Sequence, residues 1–260
     1  MLYDIRDSNK ALQTLVEITG VNSKYWCEKK DKSINLLDDI DSIISENNGY
    51  YPDIYDIELV LTHVTTRIKD NELIKNDCLY NLKSTYQKYD SDLRKFLDSK
   101  GVYINLEKRE LKYCDGIYDI SYDGMNRPGD EELRKLAAWR VGRKFYYDYA
   151  IGVFLSLDPN DSYGGDVHKR PEIISDIDAM LGTNMEEDWI NTHVAYEIVF
   201  RLPCDDLLHE VGGQDIMNDY LVEAYKCVLM GPSTIDLTCK NNIVINSNCI
   251  IECNEFYSWD

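Results

Sequence analysis

The sequence predicts an α+β fold, with a mixed or antiparallel sheet at its core, a helical N-terminal arm and long helical insertions. Three observations predict it. Strand-like runs recur far apart, as in DIELVLTHVTTR (56–67), AIGVFLSLD (150–158) and HVAYEIVFRL (193–202). Between them lie stretches whose apolar residues repeat every three or four positions, the helical period. The last part, STIDLTCKNNIVINSNCIIECNEF, reads as two or three strands broken by Asn-rich turns. Strands separated by helices and then gathered at one end of the chain are the pattern of an α+β domain.

Residues 1–50 read as the arm. ALQTLVEI and SINLLDDIDSII are both helical in spacing, Asp31-Lys32-Ser33 offers a cap before the second, and NNGYYPD (47–53) separates the arm from a main domain over 51–260. In the main domain, ELVLTHV is β-rich and buried in pattern. A short helix over DNELIKN (70–76) follows, then a longer one over LKSTYQKYDSDLRKFLDSKG, closed by Gly101. VYINLEKRELKYC reads as a hairpin and residues 115–130 as a loop cluster. A basic helix over 131–149 runs into the strand AIGVFLSLD. RPEIISDIDAML, with Pro171 near its first turn, and MEEDWINT read as helices, as does QDIMNDYLVEAYKCVL after the strand HVAYEIVFRL. There is no internal repeat and no low-complexity tract.

With 260 residues, 44% of them hydrophobic, a sizeable core is expected and disorder is not. Twenty tyrosines against five phenylalanines place many aromatic rings where a hydroxyl can stay wet. Lys and Arg number 28 against 47 Asp and Glu, and the resulting charge of −19 repels nucleic acid over most of the surface. No apolar run approaches the roughly 18–20 residues of a membrane span, and the polar start lacks a signal-peptide core, so a cytoplasmic protein with no membrane partner is expected. The eight cysteines form no CxxC pair, and Cys249 and Cys253 are expected to be two buried core residues rather than metal ligands. His168 and His209 have no second His at ligand spacing, so no metal is expected. Neither a Walker loop, a GxGxxG after a strand nor a GxSxG is present.

Four groups of residues can carry chemistry. His63 sits near the end of a hydrophobic strand and is followed by Thr65, Thr66 and Arg67. An imidazole among hydroxyls and a guanidinium suits sugar hydroxyls or phosphate, so His63, Thr65 and Arg67 are ligand-binding candidates. The competing reading is a structural histidine capping the next helix. Arg140, Arg143 and Lys144 share one helix face and suit a phosphate or pyrophosphate, with ion pairing to the abundant carboxylates as the alternative. In GVFLSLDPNDSYGG (152–165) a strand enters a polar loop, making Ser156 a binding candidate and Tyr163 a ring for stacking on a planar group. The carboxylate for acid–base or oxocarbenium chemistry is open among Glu197, Glu223, Asp236 and Glu252, with Glu223 and Asp236 carried as catalytic candidates.

In order, these pieces resemble the ADP-ribosyltransferase fold, and within it the His-type branch of poly-ADP-ribose polymerases and bacterial DNA-targeting toxins. HVTTRIKDNELIKNDCLYNL (63–82) is similar to that branch's strand-end His, hydroxyl residue and helix, with Asp77-Cys78-Leu79 where Gly-Leu is usual. GVFLSLDPNDSY (152–163) looks like its second strand, and NIVINSNCIIEC (242–253) like its late strand pair. The likeness runs from 58 to 253. It implies NAD as substrate, His63 on the adenosine-side ribose with Thr65 nearby, and Tyr163 on nicotinamide. A late acid would stabilise an oxocarbenium-like transition state. It further implies transfer of ADP-ribose to an unknown acceptor in a toxin or phage-conflict setting. NAD or another nucleotide is then the small-molecule partner, and nucleic acid enters only as a modified target. The acidic charge supports a different expectation, a non-catalytic binding, inhibitor or immunity protein that acts by protein–protein contact. A nucleotide binder without chemistry is a third.

Overall fold

A computed structural model describes residues 1–27, 35–69, 77–121, 127–158, 160–161, 166–208, 213–257 and 259. The expected cap at Asp31–Ser33, the short helix over 70–76, Tyr163 and His209 lie outside the described residues.

The chain opens with β1 (Leu2–Tyr3), α1 (Ser8–Thr19), α2 (Ser23–Cys27) and α3 (Leu36–Glu46). The Asp7 carboxylate caps α1 by accepting the N–H groups of Asn9 and Lys10, and Gly20 ends it at φ +73°. In α3, Asn35 caps the start and Ile40, Ile43 and Ile44 form the buried stripe. The long strand β2 (Glu58–Ile68) follows, then α4 (Leu82–Gln87) and α5 (Asp92–Ser99). A meander of β3 (Val102–Asn105), β4 (Glu110–Tyr113) and β5 (Gly116–Asp119) leads to α6 (Leu133–Tyr146), β6 (Gly152–Ser156), α7 (Glu172–Leu181) and α8 (Met185–Thr192). The chain closes with β7 (His193–Pro203), α9 (Gly213–Met230), β8 (Ile235–Thr238) and β9 (Ile250–Glu255).

The α+β class is borne out. The main sheet runs β8-β6-β2-β7-β9 with every neighbour antiparallel, and β1 adds one parallel pairing to β2. β2 is its central strand, paired with β7 over its whole length from Glu58↔Pro203 to Ile68↔His193. On one face, Leu59, Leu61, Ile198 and Phe200 pack with Leu15, Ile18, Leu221 and Tyr225 of α1 and α9, so the first helices share the core of the sheet. A second core joins α4–α8 to the meander through Leu97, Val102, Leu111, Phe145, Ile174 and Trp189. No helix among the described residues is long and apolar enough to cross a membrane.

Three local expectations are corrected. The helix expected over 82–101 is two helices, because Lys88 leaves the helical region (φ −78°, ψ 113°) and the Ser91 hydroxyl accepts the Arg94 N–H to start α5. Gly101 does close α5, at φ +72°. Within the expected loop cluster, Gly116–Asp119 is a strand, since β4 supplies its ladder partners. Cys249 and Cys253 are not buried: they lie in a turn and on the edge strand β9, both partly exposed, whereas Cys204, Cys227 and Cys239 fill the core.

Candidate functional site

Residues alternate across a strand, so Leu59, Leu61, His63, Thr65 and Arg67 line up on one face of β2. The first two enter the core; the last three line a cavity of about 600 Å³. The face changes from apolar to polar within one strand, which places a polar site at the edge of a packed core. Opposite β2 the cavity is walled by segment 77–82, the start of α5 and the 150–152 entry to β6. Segment 77–82 is pinned where Leu79 and Ile245 exchange backbone hydrogen bonds of 2.9 and 3.1 Å. The Asn81 amide donates to the Tyr149 carbonyl at 3.1 Å. Trp189 closes another side. Its ring stacks on His193 at 3.6 Å and 8°, and its N–H donates to Thr66 Oγ1 at 2.9 Å.

His63 Nδ1 lies 2.8 Å from the Gly152 carbonyl, which can only accept. Nδ1 therefore carries the proton, and Nε2 is the acceptor of the neutral ring. Burial pushes the imidazole down to about 4; the bond to Gly152 opposes this and the Arg67 charge adds to it. The bond is made across two strands, and β2 keeps its pairing to β7 as far as Ile68, so His63 is a mid-strand residue, neither near the strand end as expected nor a helix cap. Arg67 donates to Thr65 Oγ1 at 2.8 Å and to the Thr66 carbonyl at 3.0 Å. Burial lowers its pKa, and the charges of Asp92 and Asp77 oppose that. No ion pair engages Arg67 among the described residues, although carboxylates outnumber cations in this chain and Lys88, Arg94 and Lys144 all have one. A partly buried cation held by neutral oxygens is set to receive an anion.

The cavity also holds groups that sequence reasoning passed over. Lys88 bridges Asp77, at 3.0 Å, and the face of Tyr80, at 4.4 Å. Asp92 Oδ2 accepts the Ile68 N–H at 3.3 Å. Reading 82–101 as one helix put Asp92 in its middle; the signal available was Ser91, a capping residue type immediately before it.

The remaining sequence candidates lie elsewhere. Ser156 is buried at the end of β6, and its hydroxyl has no hydrogen-bond partner among the described residues. On α6, Arg140 lies 4.0 Å from Asp176 and Arg143 faces the Trp139 ring at 5.8 Å, while Lys144 pairs with Glu172 of α7. That face thus follows the ion-pairing alternative for Arg140 and Lys144. Glu223 pairs with Lys226 at 2.6 Å on α9, and Asp236 is exposed on β8. Glu197 is partly buried on β7, where burial raises its pKa, and Glu252 binds Arg6 at 3.1 Å. None of these lines the cavity. Among the described residues no group of three or more His, Cys, Asp or Glu can hold a metal ion. No family model, curated protein or solved structure matches this chain.

Proposed function

We propose that the cavity binds NAD and that the protein cleaves its nicotinamide bond to transfer ADP-ribose to an acceptor. One observation carries the reading. A neutral imidazole acceptor, a hydroxyl and a cation in no ion pair among the described residues follow one another on a single strand face and line one cavity. His63 Nε2 accepts from a ribose hydroxyl, Thr65 adds a second polar contact, and Arg67 holds a phosphate of the pyrophosphate. A volume of about 600 Å³ suits a ligand of this size.

Titration calorimetry with NAD tests it. Wild-type protein is expected to bind, and millimolar NAD to raise the thermal midpoint. Arg67→Ala is expected to weaken binding about tenfold or more, the loss of one charged hydrogen-bonding group. Neither binding nor nicotinamide release at millimolar NAD overturns the proposal. A second reading, a nucleotide binder without chemistry, is favoured by the placement of Glu223 and Asp236 outside the cavity. It predicts NAD binding with no release of nicotinamide.

A further inference from the structure

The cavity has a direction. Alternate residues of a strand are about 6.6 Å apart, so the guanidinium-bearing Arg67 stands about 13 Å along β2 from His63. One residue further, the Ile68 N–H fixes the Asp92 carboxylate at 3.3 Å. Along the strand the order is therefore an acceptor, a hydroxyl, a cation and then a carboxylate. In NAD the order is adenosine ribose, pyrophosphate, and then the ribose that bears the positively charged nicotinamide.

Among the described residues three carboxylates line the cavity, and they differ in what occupies them. Asp77 is exposed and held by Lys88. Asp90 is exposed. Asp92 is partly buried and has no cation within ion-pair distance among the described residues, and its second oxygen is not engaged by the Ile68 amide. It lines the cavity from the first turn of α5, across from the end of β2 that carries Arg67.

We infer that Asp92 is the catalytic carboxylate, set against the cationic end of the bound ligand. This rests on the NAD reading above. The bond between ribose C1′ and the nicotinamide nitrogen breaks, its electron pair leaves with nicotinamide, and the pyridinium charge is lost. Positive charge develops on the ribosyl C1′ and ring oxygen, where the anchored carboxylate stabilises it. An acceptor oxygen then bonds to C1′ and gives up its proton; with water as acceptor the products are nicotinamide, ADP-ribose and a proton.

Asp92→Asn keeps an oxygen for the Ile68 N–H and removes only the charge. The test compares NAD affinity by calorimetry, nicotinamide release by chromatography and the thermal midpoint in wild type and variant. The expected result is an unchanged midpoint, affinity within about threefold, and release slowed by about 10²–10³-fold, as for loss of one electrostatic stabiliser. Release within about threefold of wild type overturns the inference, as does a loss confined to affinity. Wild-type protein that binds NAD without releasing nicotinamide removes the role of Asp92 and leaves the binding site standing. Wild-type protein that does not bind NAD removes both.

Discussion

The protonation state of His63 has a consequence for stability. The imidazole titrates near 4 in the folded protein instead of at its usual 6.5, chiefly because it is buried. Between those two values the unfolded chain binds more protons than the native one. The stabilisation is therefore complete above about pH 6.5 and is lost as the pH falls toward about 4. His193, buried against Trp189, is shifted the same way, so it too costs stability as the pH falls below about 6.5. In His63→Gln the amide can still donate to Gly152 but does not titrate. Urea midpoints at about pH 7 and about pH 4.5 are expected to differ less in the variant than in wild type. Equal losses in both proteins would show that the ring is not held neutral. The pattern that made His63, Thr65 and Arg67 legible is local, since all three sit at strand period on one segment. Asp92 was not legible, because its place in the cavity comes from a backbone contact with Ile68, 24 residues away.

The elements that could be read are those whose burial pattern repeats along their own length. α1 buries Ala11, Leu15 and Ile18 at helical spacing, and α7 buries Ile173, Ile174 and Ile177. Both were legible, as were β2 and β7. Elements defined by a partner were not. β1 is two residues long and exists because β2 pairs with it, and β5 exists because β4 does. The end of α1 gives a measurable case of a local requirement joined to a tertiary one. Gly20 has φ +73°, and a Cβ there would lie 2.9 Å from Tyr50 Cε1. Gly20→Ala thus strains the backbone and displaces a ring that leads the chain out of α3. The expected cost is about 1–2 kcal/mol, read from urea unfolding. An unchanged midpoint would mean that the αL cap and the Tyr50 contact do not hold this corner.

Across the molecule, the eight thiols differ in access, and the buried ones all lie in the core between the main sheet and α1 and α9. Cys27 and Cys114 are exposed, and Cys204, Cys227 and Cys239 are buried with thiols pushed up to about 11, 11 and 12 by burial. A colorimetric thiol reagent is expected to label Cys27 and Cys114 quickly in the native protein. The three buried thiols should react only when urea unfolds the chain, because reaction needs both access and thiolate. Fast labelling of Cys239, located by peptide mapping, would contradict the packing of β8 and the 239 region against the core. Sequence alone determined the fold class, most helices, the central strands and the polar switch along β2. Those features depend on hydrophobic period and capping residues, which neighbouring positions carry together. Tertiary structure alone decided which carboxylates reach the cavity, that α6 spends its Arg140 and Lys144 charges on α7, and that Arg67 is held by neutral oxygens with no ion pair among the described residues. These outcomes follow from distances between groups remote in the chain, and Coulomb and hydrogen-bond energies depend on that separation in space rather than on spacing along the backbone.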